Sequence, residues 1–101
     1  MIGRYDIDGT DAFTRTSMPK VEIYTTTWCP YCHAAKSMLD GKGVPYSEIN
    51  ADDPQVRMDM VQRAHGRRTV PQIFVGNTHV GGYDEMAALE RRGKLDPLLA
   101  E

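Results

Sequence analysis

Short runs of period-two and β-branched residues alternate along the chain with longer runs of helical period. "KVEIYT", Lys20 to Thr25, is short, β-branched and aromatic, and reads as a strand. Pro30 then fits the first turn of a helix, where its missing N–H costs nothing. "YCHAAKSMLDGKG" places Cys32, Ala35 and Leu39 along one side, and Gly41 or Gly43 stops the helix. "VPYSEIN", Val44 to Asn50, reads as a second strand. Asp53 before Pro54 makes an N-cap followed by a first-turn proline, and the helix runs through Val56, Met60 and Ala64 to Gly66. "VPQIFVGNTHVGG" reads as two short strands around Gly76-Asn77, a hairpin signal. "YDEMAALERRG" is a third helix, ending at Gly93.

The pattern predicts an α/β fold with a mixed sheet. A helix separates the first two strands, so they are expected to be parallel. The last two share a tight turn and are expected to be antiparallel. There are no internal repeats and no low-complexity segment.

A chain of 101 residues is expected to hold one domain. Net charge is −2 and no Lys/Arg run makes a basic stripe, so nucleic acid is not an expected partner. No apolar stretch approaches the roughly 20 residues that span a membrane. The N-terminus has no basic-then-apolar run of the secretory kind. A reducing cytoplasm is therefore the expected location, and there a lone cysteine pair is expected to be catalytic or metal-binding rather than structural. Residues 1–17, "MIGRYDIDGTDAFTRTS", are polar, carry no clear period and precede a second methionine. They are read as an expression leader or a natural disordered extension, and residues 18–101 as the folded domain.

The only two cysteines stand in "YTTTWCPYCHAAK", at Cys29 and Cys32. Three chemistries use such a pair. "CPYCH" formally matches the haem-attachment pattern, but an export route and a helical host are not visible. A structural zinc site needs four ligands, and two thiols supply half. His33 would be turned about 100 degrees away from Cys32 on a helix. His65 and His79 lack the ligand spacing of a zinc finger. The three histidines are read as surface residues, and no metal site is assigned. The redox reading fits the position, because a strand leads into the pair and a helix starts at it. Cys29 would meet the free N–H groups and the positive end of the helix dipole, which favour thiolate. A dipole alone is worth roughly 0.3–1 kcal/mol. Strong activation therefore also needs direct N–H···S bonds, expected from Tyr31 and Cys32. Cys32 lies one turn on, on the same face, a spacing compatible with a disulfide.

At this point the chain resembles the glutaredoxins. "CPYC" is their dithiol motif, "TVPQIF" (Thr69 to Phe74) is similar to the family's Thr-Val-Pro segment, and "GGYDE" (Gly81 to Glu85) to its Gly-Gly-x-Asp segment. The three occur in family order and spacing, and the resemblance runs from about Lys20 to Leu99. It implies a thioredoxin-like fold, with a mixed four-stranded sheet and helices on both faces. It implies catalysis by Cys29 as nucleophile and Cys32 as resolving thiol, with glutathione as co-substrate and no tightly bound cofactor. It implies a cis bond before Pro71, with the Val70 backbone pairing with the glutathione cysteine moiety beside Thr69. Gly82, Tyr83 and Asp84 would receive the γ-glutamyl end, Arg67 the glycyl carboxylate, and Tyr31 would flank the site. The implied partners are glutathione and disulfide-containing or glutathionylated proteins, met by a monomer.

Two positions depart from the family pattern. Thr26 stands where the family usually carries a Lys, which weakens the electrostatics at one corner. Trp28 directly precedes Cys29, where it would shape protein docking or cover the cleft. Two rival functions remain. One is a thioredoxin-like reductant fed by thioredoxin reductase, against which "GGYDE" and Arg67 argue. The other is an iron–sulfur module ligated by glutathione and by Cys29 of two chains, against which Pro30 argues.

Overall fold

Strand β1 (Val21–Thr25) has two faces, and they set the layers of the domain. Val21 and Ile23 point to one side, and Glu22 and Tyr24 to the other, as the pleat requires. In the computed structural model, which describes residues 19–100, β1 is flanked by β2 (Ser47–Asn50) and β3 (Gln72–Val75). β2 is parallel to β1, and β3 is antiparallel to it. β4 (Thr78–Gly81) pairs antiparallel with β3 and completes the order β2-β1-β3-β4. The boundary expected after residue 17 lies outside the described residues.

One face of the sheet buries Val21, Ile23, Ile73 and Val75 against Ala35 and Leu39 of α1 (Pro30–Gly41) and Met86 of α3 (Tyr83–Arg91). The other face packs Tyr24 and Phe74 on Met60, Val61 and Ala64, at and just beyond α2 (Pro54–Arg63). Removing these side chains from water, at about 25 cal/mol per Å² of apolar surface, is the main source of stability. Arg63 at the end of α2 reaches back over the sheet, 2.5 Å from Glu22 and with its guanidinium 4.1 Å from the Phe74 ring centre.

The mixed four-stranded sheet with helices on both faces is the thioredoxin-like architecture, and the parallel and antiparallel pairings are those the pattern predicts. Three details differ. The second strand starts at Ser47 rather than Val44, because Val44 N–H closes α1 by donating to Leu39 and Pro45 has no N–H to give a ladder. α2 stops at Arg63 rather than running to Gly66. His65 (φ 58°) and Gly66 (φ 91°) both turn left-handed, and Gly66 N–H bonds back to Val61. A short helix α4 (Leu95–Ala100), not expected from the pattern, buries Leu95 and Leu99 on the α1–α3 side. Its Pro97 sits in the first turn, where no intrahelical N–H bond is lost.

Candidate active site

Thr26 to Cys29 make the turn from β1 into α1. Thr27 holds this turn to the segment after β2, through its hydroxyl and its N–H to the Asp52 carboxylate. Cys29 is the N-cap of α1, in extended conformation (φ −136°, ψ 103°). Its sulfur accepts the Cys32 N–H at 3.2 Å, as a serine oxygen does in an ordinary N-cap. Of the two donors expected, Cys32 makes this bond; among the described hydrogen bonds Tyr31 N–H does not. Cys32 is the third residue of the helix, one of the positions an N-cap side chain reaches.

Cys29 is 7% exposed, which leaves its sulfur a narrow line of approach, and Cys32 is 1% exposed. The Cys29 thiol lies 3.7 Å from the Val70 carbonyl, to which it can donate. Burial pushes the Cys32 thiol up to about 12, the hydrogen bond with Cys29 adds to this, and the Thr26 backbone pulls it back in part. Both thiols are free. Paired thiols, one capping a helix and one sealed behind it, can form and break a disulfide. Among the described residues, no cluster of three or more His, Cys, Asp or Glu is placed to hold a metal ion.

The Val70-Pro71 bond is cis, as the resemblance implied. The eight residues Tyr31, Arg67, Thr69, Val70, Pro71, Gly82, Tyr83 and Asp84 line a single cleft of about 300 Å³. Tyr31 and Tyr83, both in its lining, stack with ring centres 6.2 Å apart. Trp28, 92% exposed, stands free beside the turn rather than covering the cleft. Thr26 is not among the lining residues.

The cleft has a ninth member that the sequence reading missed, Glu85. Its Oε1 accepts the Gly82 N–H at 2.7 Å and lies 3.3 Å from Arg67 Nη1. The Gly82 N–H, then Arg67, hold its carboxyl below the ordinary glutamate value of 4.5, against the effect of burial. The signal was present in the sequence, since an acidic residue three positions after a helix N-cap commonly reaches back to the cap N–H. Gly81 makes room for this corner. Its φ is 112°, and a Cβ there would come within 2.9 Å of Glu85 Oε1 and 3.1 Å of Arg67 Nη1.

A strand–turn–helix carrying a dithiol, set directly beside a cis-proline loop in a thioredoxin-like fold, defines the class of thiol–disulfide oxidoreductases. Comparison with known proteins makes the assignment finer. The glutaredoxin family model matches residues 21–80. Glutaredoxin of Pseudomonas aeruginosa is 56% identical over 84 residues, 82% of this chain and 99% of that protein. Glutaredoxin 3 of Escherichia coli is 49% identical over 82 residues, 81% of this chain and 99% of its own. The solution structure of Brucella melitensis glutaredoxin superimposes with a TM-score of 0.74 at 52% identity, covering 83% of this chain and 91% of that one. A buckwheat glutaredoxin–glutathione complex gives 0.72 at 32% identity, covering 80% and 76%. The chain belongs to the glutaredoxin family and is a thiol–disulfide oxidoreductase. Among the described residues, no helix is long and apolar enough to cross a membrane.

Proposed function

We propose that the protein reduces protein disulfides and protein–glutathione mixed disulfides at the expense of glutathione, with Cys29 as nucleophile and Cys32 as resolving thiol. The Cys29 thiolate attacks the glutathione sulfur of a mixed disulfide. The protein leaves as thiolate and takes a proton, and glutathione remains on Cys29. A second glutathione thiolate attacks that bond, releasing glutathione disulfide and the Cys29 thiolate. With a protein disulfide, Cys29 forms the mixed disulfide and Cys32, once deprotonated, displaces the second substrate thiol. The Cys29–Cys32 disulfide is then reduced by two glutathiones.

The observation that carries this reading is the cleft itself. Its wall includes Val70, whose carbonyl is 3.7 Å from the Cys29 sulfur, and it is lined as well by Arg67, Asp84 and the start of α3. Glutathione has a carboxylate at each end and an ammonium at one. Arg67 suits the glycyl carboxylate, backbone N–H groups at the helix start suit the γ-glutamyl carboxylate, and Asp84 suits the ammonium. An extended tripeptide between them can pair its backbone with Val70 like an added strand. The buckwheat relative was solved as a glutathione complex, which supports the same ligand here.

The test compares two reducing systems on one glutathionylated protein substrate, with NADPH consumption as readout. Turnover with glutathione and glutathione reductase, and little with thioredoxin reductase alone, is expected. Turnover only with thioredoxin reductase would overturn the reading.

A further inference from the structure

Gln72 is fully buried at the start of β3, yet its side chain is an amide with donors and an acceptor to satisfy. Its Nε2 donates to both the carbonyl (2.9 Å) and the hydroxyl (3.2 Å) of Thr69. A carbonyl oxygen only accepts, so the amide edge facing Thr69 is the NH₂ group. The amide oxygen is left to accept from His79 Nε2 at 2.6 Å. His79 is held in its turn. It stacks on Phe74, ring centres 4.8 Å apart, and its Nδ1 meets that of His65 at 3.3 Å. The donor end of a buried side chain is thus directed at one residue of the cleft, Thr69.

The residue before Thr69 is held as well. Arg57, on α2, donates from Nη2 to the Arg68 carbonyl at 2.9 Å. Two successive carbonyls, of Arg68 and Thr69, are therefore bound by side chains from two different elements. Both residues are exposed, so packing does little to fix them, and the side-chain hydrogen bonds do. Val70 differs. Its carbonyl faces the Cys29 sulfur at 3.7 Å, and its N–H has no partner among the described hydrogen bonds.

We infer that Gln72 and Arg57 are positioning residues, which hold the Arg68–Thr69 backbone so that the Val70 main chain is set to receive glutathione before it binds. Neither residue lines the cleft, and both act through the loop. The inference rests on the glutathione reading above and adds to it what fixes the docking edge. Strand-like pairing needs an N–H and a C=O at defined positions. A loop ordered in advance does not have to be ordered by the ligand, so more of the interaction energy appears as affinity.

The test uses the Cys32→Ser chain, in which no resolving thiol attacks a mixed disulfide on Cys29. Its Cys29–glutathione disulfide is equilibrated with 2-mercaptoethanol. One thiolate displaces the other from Cys29, so one disulfide and one thiol stand on each side of the equilibrium. 2-Mercaptoethanol has no peptide to pair with Val70, so the parent should favour glutathione. Gln72→Met removes the Thr69 bonds at similar volume and should reduce this preference at least fivefold. Arg57→Met should reduce it at least twofold. Arg57 makes its bond at the surface, so its variant carries the test should the buried change prevent folding. The Arg57 effect should persist at 1 M salt, where the screening length is about 3 Å, because it is one of position and not of charge. ¹⁵N relaxation of the ligand-free protein needs no glutathione. The Val70 amide should lie near the rigid-backbone order parameter of about 0.85 in the parent and fall in both variants. An unchanged preference in folded variants, an Arg57 effect abolished by salt, or a Val70 amide as ordered in the variants as in the parent would each overturn the inference. A parent without preference for glutathione, whose Val70 still loosens in both variants, would overturn the glutathione reading and leave the two anchors standing.

Discussion

The backbone N–H of Cys32 points at the Cys29 sulfur from 3.2 Å, while the Cys32 thiol itself is sealed from solvent. One residue therefore stabilises its neighbour's sulfur and withholds its own. The two thiols should separate cleanly in alkylation. Burial, with the hydrogen bond to Cys29, pushes the Cys32 thiol up to about 12, so at pH 7 it holds far less thiolate than the few per cent of a free thiol. Iodoacetamide at pH 7, followed by peptide mass mapping, should label Cys29 and leave Cys32 slower than a free thiol by at least about a hundredfold. Cys32 labelling should accelerate as pH rises towards 12. Comparable labelling of both at pH 7 would contradict the burial of Cys32.

Replacing the sealed thiol should split the two proposed activities. Removal of glutathione from a mixed disulfide needs Cys29 and a second glutathione, so Cys32→Ser should keep most of it. Reduction of a protein disulfide by the dithiol route needs the resolving thiol, so the same variant should lose most of it. Cys29→Ser should lose both. Parallel assays on a glutathionylated protein and on a protein with an internal disulfide make the comparison. Equal losses in the two variants would mean that the thiols act as a structural pair.

Neighbouring acidic residues at the start of α3 should behave oppositely. Asp84 is exposed, lines the cleft, and has no ion-pair partner among the described residues. Its proposed partner is the γ-glutamyl ammonium, so Asp84→Ala should raise KM for glutathione by roughly 5- to 150-fold, the loss of a charge-assisted hydrogen bond of about 1–3 kcal/mol. The Tm should move little. Glu85 competes for Arg67 and holds the Gly82 N–H. Glu85→Gln keeps an acceptor for Gly82 but frees Arg67 for the glycyl carboxylate. KM should then hold or fall, by up to about fivefold, because exposed ion pairs are worth about 0–1 kcal/mol. The gain should shrink as salt rises. A rise in KM for both variants would place Glu85 among the ligand contacts instead.

Much of this arrangement was readable because its cues are local. Asp53 before Pro54, Gly76-Asn77 between apolar runs, and Pro30 after Cys29 each specify a backbone conformation within a few residues. All the cleft residues but Arg67 stand in the three quoted motifs, and the fold gathers them into one place. What escaped were features that depend on neighbours in space or on short spans. Leu95 and Leu99 are a single helical repeat, too brief to reveal a period, so α4 was not foreseen. Glu85 was passed over because the motif drew attention to Asp84, although the cap rule three residues from Gly82 pointed to it. His65 and His79 lack a zinc-finger spacing and read in sequence only as surface residues. The turn after α2 and the edge strand β4 bring them into contact, and His79 is half-buried against Phe74.

Glu22 and Arg63 should make stability depend on pH in a defined direction. The pair joins β1 to the end of α2 across one face of the sheet, with the Glu22 side chain largely shielded. The hydrogen bond from Arg63 lowers the Glu22 carboxyl from its ordinary value of 4.5; burial works against this, and the charges of Arg63 and Lys20 assist it. A carboxyl with a lower pKa folded than unfolded binds fewer protons in the native state. Its contribution is therefore complete above the unfolded value and is lost as pH falls through the folded one. At pH 7, Glu22→Gln should cost about 0.5–1.5 kcal/mol, which for a domain of this size lowers Tm by roughly 3–10 °C. The gap between variant and parent should narrow below about pH 4.5 and close once the parent carboxyl is protonated. Thermal melts of both proteins from pH 7 to pH 3 measure it. A gap that stays constant to the acid limit would mean that packing of the side chain, and not its charge, holds α2 to the sheet.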